Sequence, residues 1–124
     1  NKKNFLIVKN LGKKFYSSIL KHSTLVLGNS SSGIVEAASF KIPVVNIGIR
    51  QEGKYKPINV IDTSYSSNRI LKAITIAQSN KFKIKLSRMT NPYENKISLK
   101  KLINLIIKLK VNDKLLRKKF IDIK

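Results

Sequence analysis

The sequence predicts an α/β fold in which a parallel sheet is covered by helices on both faces. Short apolar runs alternate with stretches of helical spacing, as in strands joined by crossover helices. The runs are almost entirely apolar, which is typical of parallel strands that are buried on both sides. Gly28, Pro43 and Gly48 bound these runs and separate them from the helices. Together these observations favour a Rossmann-like domain.

Each element is predicted from its own residues. In chain order we expect a strand at 5–8, a helix at 13–21, a strand at 25–27, a helix at 34–40, a strand at 44–47, a strand at 60–61, a helix at 68–78 and a helix from 99 onward. Asn91-Pro92 predicts a turn before the last helix. Residues 1–110 are therefore expected to form one domain, followed by a basic helical tail at 111–124.

Composition limits the class of protein. The chain has 124 residues of which 42% are apolar, enough for one modest core. No apolar run approaches the roughly 20 residues that span a bilayer, and no signal-peptide pattern is present. The chain has no cysteine, which excludes disulfides and thiolate metal sites. We expect a soluble, cytoplasmic protein. Because the chain starts at Asn1 without a methionine, we also expect it to be a piece of a larger one.

The formal charge of +20 comes from 26 basic and 6 acidic residues. Such a balance can indicate nucleic-acid binding. However, only four of the basic residues are arginines, and the lysines are scattered through every segment. The predicted strands are aliphatic and lack the aromatic residues that RNA modules interleave with basic ones. The charge favours a general, salt-screened attraction for polyanionic ligands over specific nucleic-acid binding.

A serine-rich loop follows the strand at 25–27 and leads into the next helix. It reads Gly28-Asn29-Ser30-Ser31-Ser32-Gly33. In a parallel α/β sheet, ligands bind beyond the carboxyl ends of the strands, where this loop lies. The start of a helix offers unpaired N–H groups and partial positive charge, and serine hydroxyls add further donors. The loop therefore predicts a site for a phosphate or another anion.

The same loop has a simpler interpretation as a helix N-cap. Serine is a favoured capping residue, although one serine suffices for that role. A capping box would place an acid three residues after its serine, whereas Glu36 follows Ser32 by four. Glu36 is one of the six acids, and it could accept hydrogen bonds from a ribose diol, as acids do in nucleotide folds. It could also be a surface partner of a lysine. These alternatives stay open.

Five segments in fixed order carry a resemblance to a known family. They are Leu20-Lys21-His22-Ser23, Gly28 to Ala37, Pro43 to Gly48, Arg50-Gln51-Glu52-Gly53-Lys54 and Asn91-Pro92-Tyr93. Together they resemble the C-terminal domain of the hydrolysing UDP-N-acetylglucosamine 2-epimerases, of the sialic acid type. That resemblance implies a partial C-terminal domain of a GT-B-type fold, truncated at its N-terminal side. Residues 1–110 would then be its nucleotide-sugar-binding domain.

The resemblance also implies roles for individual residues in binding UDP. The diphosphate would be held by Ser30, Ser31 and the amides of Ser32 and Gly33, the ribose by Glu36, the phosphates or the sugar by Arg50, and the uracil by Tyr16. A guanidinium suits bidentate phosphate contact better than a lysine does. Without the resemblance, Arg50 could equally be a loop arginine in water, and Tyr16 could be a core residue.

The reaction that the resemblance implies converts UDP-N-acetylglucosamine to N-acetylmannosamine, or a related sugar, and UDP, for sialic or similar acids. It needs no cofactor and no metal. The catalytic carboxylates of the family lie in its N-terminal domain, and the acids of this chain follow no paired-carboxylate pattern. We therefore expect no catalytic residue here and no turnover by the chain alone. The partners would be a UDP-sugar and the missing N-terminal domain, with a homo-oligomer left open.

Two other functions remain open at the level of sequence. A glycosyltransferase of the same two-domain class also holds a nucleotide diphosphate in its C-terminal domain, although the Arg50-Gln51 stretch favours the epimerase. A non-catalytic module that binds anions or nucleic acid is the other alternative. No membrane partner is expected, and nucleic acid is not favoured.

Overall fold

A computed structural model of the protein describes residues 4–94 and 98–112. The chain divides into two compact units, of which the first ends at Glu94 and the second begins at Asn95. The elements of the first unit are α1 (Gly12–His22), β1 (Val26–Gly28), α2 (Ser31–Ser39), β2 (Val44–Ile47), β3 (Val60–Thr63), α3 (Ser67–Gln78) and α4 (Asn80–Ser87). The second unit carries α5 (Leu99–Ile107).

The strands of the described residues form one parallel sheet in the order β1-β2-β3. Val26 of β1 lies opposite Val44 of β2, and Val44 lies opposite Val60 of β3. Parallel neighbours cannot be joined by a tight hairpin, and α2 makes the crossover from β1 to β2. This arrangement confirms the predicted α/β class with a parallel sheet.

Helices cover both faces of the sheet because successive residues of β2 point to opposite sides. On one face, Val44 forms a buried cluster with Leu20 of α1, Ala37 of α2 and Ile42. Val45, which is fully buried, points to the other face. There it packs against Ala73 and Ala77 of α3.

α4 is a helix that the sequence analysis did not predict. It follows α3 after one residue, Ser79, whose hydroxyl accepts a hydrogen bond from the Phe82 amide at 3.3 Å. This cap allows a second helix to start where the first one ends. Leu86 of α4 packs with Ala38 of α2 and with Met89.

The predicted strand at 5–8 is wrong. Residues 5–8 form no regular element, and the side chain of Ile7 is 95% exposed. A strand is stable only when its N–H and C=O groups pair with a neighbour. Among the described residues, β1 pairs only with β2, so nothing joins this segment to the sheet. An apolar run by itself could not reveal that a partner strand was absent.

Among its described residues, the second unit contains one helix, α5. α5 begins after Ser98, whose hydroxyl accepts a hydrogen bond from the Lys101 amide at 3.3 Å. The helix predicted from residue 99 is thus confirmed, and it ends at Ile107. The predicted tail helix at 111–124 falls outside the described residues from residue 113 onward.

Asp62 of β3 is held by two side-chain donors. Its Oδ1 accepts a hydrogen bond from Asn46 Nδ2 at 2.7 Å, and its Oδ2 lies 2.8 Å from Lys56 Nζ. Burial alone raises the pKa of Asp62, but the hydrogen bonds from Lys56 and Asn46 and the charge of Lys56 outweigh it. The pKa therefore lies below its ordinary value. This network joins β2 and β3 to the loop between them.

We expect Asp62→Asn to lower the free energy of unfolding near neutral pH by about 0.5–1 kcal/mol, because solvent screens this half-exposed pair. A carboxylate whose pKa is lowered by folding stabilises the folded state above its unfolded-state pKa. That contribution is lost as pH falls through the folded-state pKa. Urea unfolding at several pH values should show the difference from wild type shrinking below about pH 4. A difference that grew on acidification would contradict the assignment.

Candidate site at the serine loop

The candidate site lies where two loops leave the carboxyl ends of neighbouring strands. Asn29 and Ser30 connect β1 to α2, and residues 48–59 follow β2. Because β1 and β2 are parallel, both loops emerge at the same edge of the sheet. Gly48 opens the second loop with φ +79°, and the Tyr65 hydroxyl lies where a side chain on residue 48 would stand. The positive φ favours glycine there, since residues with a Cβ are strained in this conformation.

The serine corner, defined as Ser30, Ser31 and Ser32, starts α2. Ser30 is the N-cap, and its Oγ accepts a hydrogen bond from the Ser32 amide at 3.3 Å. The Gly33 amide donates to the Ser30 carbonyl at 3.1 Å. The N-cap interpretation thus holds for Ser30, and it starts the helix three residues earlier than predicted. The exposed Ser31 side chain has no hydrogen-bond partner within the described part of the chain.

Gly33 is buried and faces the sheet. A Cβ at this position would lie 3.0 Å from Cγ1 of Val44 and 3.7 Å from Cγ1 of Val26. Glycine lets α2 approach β1 and β2 closely, much as a glycine does where a helix follows a nucleotide-binding turn. The sequence interpretation did not include this packing role. The Gly33 amide, which it assigned to the diphosphate, is already engaged within the corner.

Tyr16 connects α1 to the serine corner. Its ring is partly buried against the cluster that contains Leu20, and its hydroxyl forms a hydrogen bond with Ser32 Oγ in which either oxygen could donate. The structure therefore gives Tyr16 a packing role and also brings it beside the predicted anion site. Its contact with a uracil ring stays a prediction.

Glu36 lies on the exposed side of α2. The residues that bury this helix against the protein are Gly33, Ile34, Ala37 and Ala38. Glu36 follows Ser32 by one helical turn, so the two side chains are neighbours on the helix surface. Among the described residues it has no ion pair or hydrogen-bond partner. The carboxylate is thus accessible beside the corner, and no lysine pairs with it there.

Arg50 extends from the loop that follows β2 to Asn29, the residue just before the serine corner. Its Nη1 lies 3.4 Å from Asn29 Oδ1, and the side chain is exposed. The next residue, Gln51, is only 2% exposed, and its Nε2 donates to the Asn29 carbonyl at 2.7 Å. Sequence reasoning assigned no role to Asn29 or Gln51. The signals available were that Asn29 lies in the serine loop and that Gln51 is adjacent to Arg50 in the quoted segment.

The turn predicted at Asn91-Pro92 is present and contacts α2. Asn91 Nδ2 donates to the Val35 carbonyl at 2.9 Å and to Ser39 Oγ at 2.7 Å. The Tyr93 hydroxyl donates to the Tyr55 carbonyl in the loop after β2. This turn therefore joins the helix that carries Glu36 to the loop that carries Arg50.

A cavity of about 700 Å³ opens beside β3, and it is separate from the serine corner. Its lining includes Gly48, Ile61, Tyr65, Arg69 and Ala73. None of the seven binding residues named from the sequence lines it. Within residues 4–94 and 98–112, no three His, Asp or Glu side chains are grouped so that they could hold a metal ion. None of the helices in the described part of the chain has the length and the hydrophobicity of a membrane span.

A family model and the similar curated proteins point to the same family. A family model described as UDP-N-acetylglucosamine 2-epimerase matches residues 1–107. The chain is 46% identical over 81 residues to the UDP-N,N'-diacetylbacillosamine 2-epimerase (hydrolyzing) of Legionella pneumophila, covering 65% of this chain and 21% of that protein. It is 37% identical over 114 residues to the GDP/UDP-N,N'-diacetylbacillosamine 2-epimerase (hydrolyzing) of Campylobacter jejuni, covering 92% and 29%.

A third relative is named for a biosynthetic role. The polysialic acid biosynthesis protein P7 of Escherichia coli is 40% identical over 78 residues, covering 63% of this chain and 20% of that protein. The chain thus spans between a fifth and less than a third of the length of these curated relatives.

Proposed function

The chain belongs to the UDP-N-acetylglucosamine 2-epimerase family, and we propose that its serine corner binds the UDP part of a nucleotide-sugar substrate. The observation that carries this proposal is the convergence of Tyr16, Glu36 and Arg50 on the start of α2. These residues come from three different elements. Tyr16 contacts Ser32 in the first turn of α2, and Arg50 contacts Asn29 in the loop before it.

In the proposed complex, the diphosphate lies against the start of α2. The Ser31 hydroxyl and the Arg50 guanidinium donate to it, and the partial positive charge of the helix N-terminus adds to their attraction. The Ser32 amide contributes by exchanging its long 3.3 Å bond to Ser30 Oγ for a phosphate oxygen. The net positive charge of the chain favours approach of the anion.

The nucleoside would lie along the outer side of α2. Glu36, one turn beyond Ser32, is placed to accept hydrogen bonds from the ribose hydroxyls. The uracil would then lie towards α1, where Tyr16 is.

We further propose that the chain is the UDP-binding half of a hydrolysing 2-epimerase and does not turn over substrate alone. Removal of the C2 proton needs a positioned base, and departure of UDP needs an acid. The described acids other than Glu36 are Glu52 in the loop after β2, Glu94 in the turn at 91–94, and Asp62, which is engaged with Lys56 and Asn46. The same proposal includes three further points. The substrate is UDP-N-acetylglucosamine or a related UDP-sugar, the product serves synthesis of a sialic-type acid, and the protein is cytoplasmic.

Calorimetric titration of the protein with UDP tests the binding role. We expect saturable binding of UDP and weaker binding of UMP, which lacks the second phosphate. Ser31→Ala should weaken UDP binding by about 1 kcal/mol, because one hydrogen bond is lost. Ser67→Ala is the matched control, since Ser67 is the first residue of α3 as Ser31 is of α2. Equal affinity for UDP and UMP would contradict the diphosphate site, and release of UDP from UDP-N-acetylglucosamine would contradict inactivity.

A further inference from the structure

We propose that Gln51 is a positioning residue for nucleotide binding, because its side-chain amide holds the Asn29 carbonyl and so keeps Arg50 at the serine corner. The inference rests on the proposed function, since it concerns how the UDP site is assembled. Gln51 itself is buried and is not expected to touch the ligand.

The contact between Gln51 and Asn29 has a defined orientation. Gln51 Nε2 lies 2.7 Å from the Asn29 carbonyl oxygen, and the side chain is 2% exposed. A flipped amide would bring two acceptors together, so the nitrogen must face the carbonyl. The two residues are 22 positions apart in sequence, and this bond therefore joins two separate loops.

Arg50 depends on this link because its own contact is weak. Its side chain is exposed, and its Nη1 is 3.4 Å from Asn29 Oδ1, near the limit for a hydrogen bond. The backbone around it is compact, since the Glu52 amide donates to the Ile49 carbonyl at 2.8 Å. Because this turn is held by its own hydrogen bond, the anchor at Gln51 also fixes the backbone of the neighbouring Arg50. The guanidinium is thereby kept within reach of Asn29.

The polar side chain of Gln51 is not explained by packing. Its Oε1 is buried and has no hydrogen-bond partner among the described residues. A buried acceptor without a partner destabilises the folded state, whereas an apolar residue of similar shape would not. A glutamine is nevertheless present, and its one satisfied group is the donor that binds the serine loop. The paired donor and the unpaired acceptor together indicate that Gln51 serves to position the serine loop rather than to stabilise the fold.

Gln51→Leu separates the two roles, because leucine fills similar space but cannot donate to Asn29. We expect the thermal unfolding midpoint to stay close to wild type or to rise, since the unpaired Oε1 is also removed. UDP affinity, measured by calorimetry, should fall by about three- to tenfold, part of the contribution of one charge-assisted hydrogen bond. Gln78→Leu is the matched control, since Gln78 is exposed at the end of α3, and it should leave UDP affinity unchanged.

The Arg50→Ala background supplies a readout that a purely structural role would not move. If Gln51 acts by placing Arg50, then Gln51→Leu should have no further effect on UDP affinity once the guanidinium is gone. An equal loss in both backgrounds would overturn the inference. So would wild-type affinity in Gln51→Leu, or a fall in the unfolding midpoint that accounts for the weaker binding.

The two proposals fail in different ways. If the wild-type protein does not bind UDP, the proposed function fails, and the role of Gln51 in it fails as well. If the wild-type protein binds UDP and the Gln51→Leu variant binds it equally well, the UDP site stands and only the positioning role is lost.

Discussion

Replacing Glu36 with alanine is expected to weaken UDP binding by about 1.5–3 kcal/mol, the range for hydrogen bonds made to a charged group. The carboxylate is exposed on the outer side of α2, one turn beyond Ser32, and within the described part of the chain it has no competing partner. Two hydroxyls of a ribose could therefore donate to it. Calorimetric titration of both proteins with UDP measures the loss.

A ligand-side control shows whether the loss comes from the ribose. UDP that lacks the 2′-hydroxyl should bind the wild-type protein more weakly than UDP does. It should bind the Glu36→Ala variant about as well as UDP does, because the acceptor is already gone. Glu36→Gln keeps the shape of the side chain without its charge and should give an intermediate affinity. Equal discrimination between the two ligands by wild type and Glu36→Ala would contradict the ribose assignment.

Ile34→Ala is expected to lower the free energy of unfolding by about 2–5 kcal/mol, the usual cost of truncating a buried isoleucine. Ile34 is 1% exposed and is among the largest fully buried side chains of the described residues. It lies on the face of α2 that contacts the protein, two residues before Glu36. Urea unfolding should show a lower midpoint with an unchanged dependence on urea concentration.

Val35 provides the matched control for this prediction. It is the neighbouring residue on the same helix, but its side chain is 37% exposed. Val35→Ala should therefore cost well under half as much as Ile34→Ala. The hydrogen bond from Asn91 to the Val35 carbonyl involves the main chain and survives the substitution. Similar midpoints for the two variants would show that α2 is not held by Ile34.

The strands were predictable from sequence because each contains a short apolar run, although only β2 is buried on both faces. β1, β2 and β3 each contain a short apolar run, and each lies where that run was found. The run at 5–8 gave the same signal and forms no strand, because pairing depends on a neighbour that composition does not reveal. α4 was missed because the lysines at 81, 83 and 85 obscure the helical spacing of Phe82 and Leu86.

The sequence predicted at which edge of the sheet the candidate site lies, but it did not predict the hydrogen bonds among the residues of the site. The serine loop, Glu36 and Arg50 could be placed at one edge from chain order and the geometry of parallel sheets. The engagement of the Gly33 amide with Ser30 could not be inferred, since capping and ligand binding use the same donors. The bond from Gln51 to Asn29 joins distant parts of the chain, and no local pattern predicts such a pairing.

The two contacts that Asn29 makes with the loop after β2 respond differently to a substitution of Asn29. Gln51 binds its main-chain oxygen, which every amino acid provides, whereas Arg50 contacts its side-chain oxygen. Related sequences can therefore change residue 29 without detaching the second loop, and only the arginine contact would vary. A substitution at position 29 therefore keeps the link between the two loops, whereas a substitution at position 51 removes the donor that makes it.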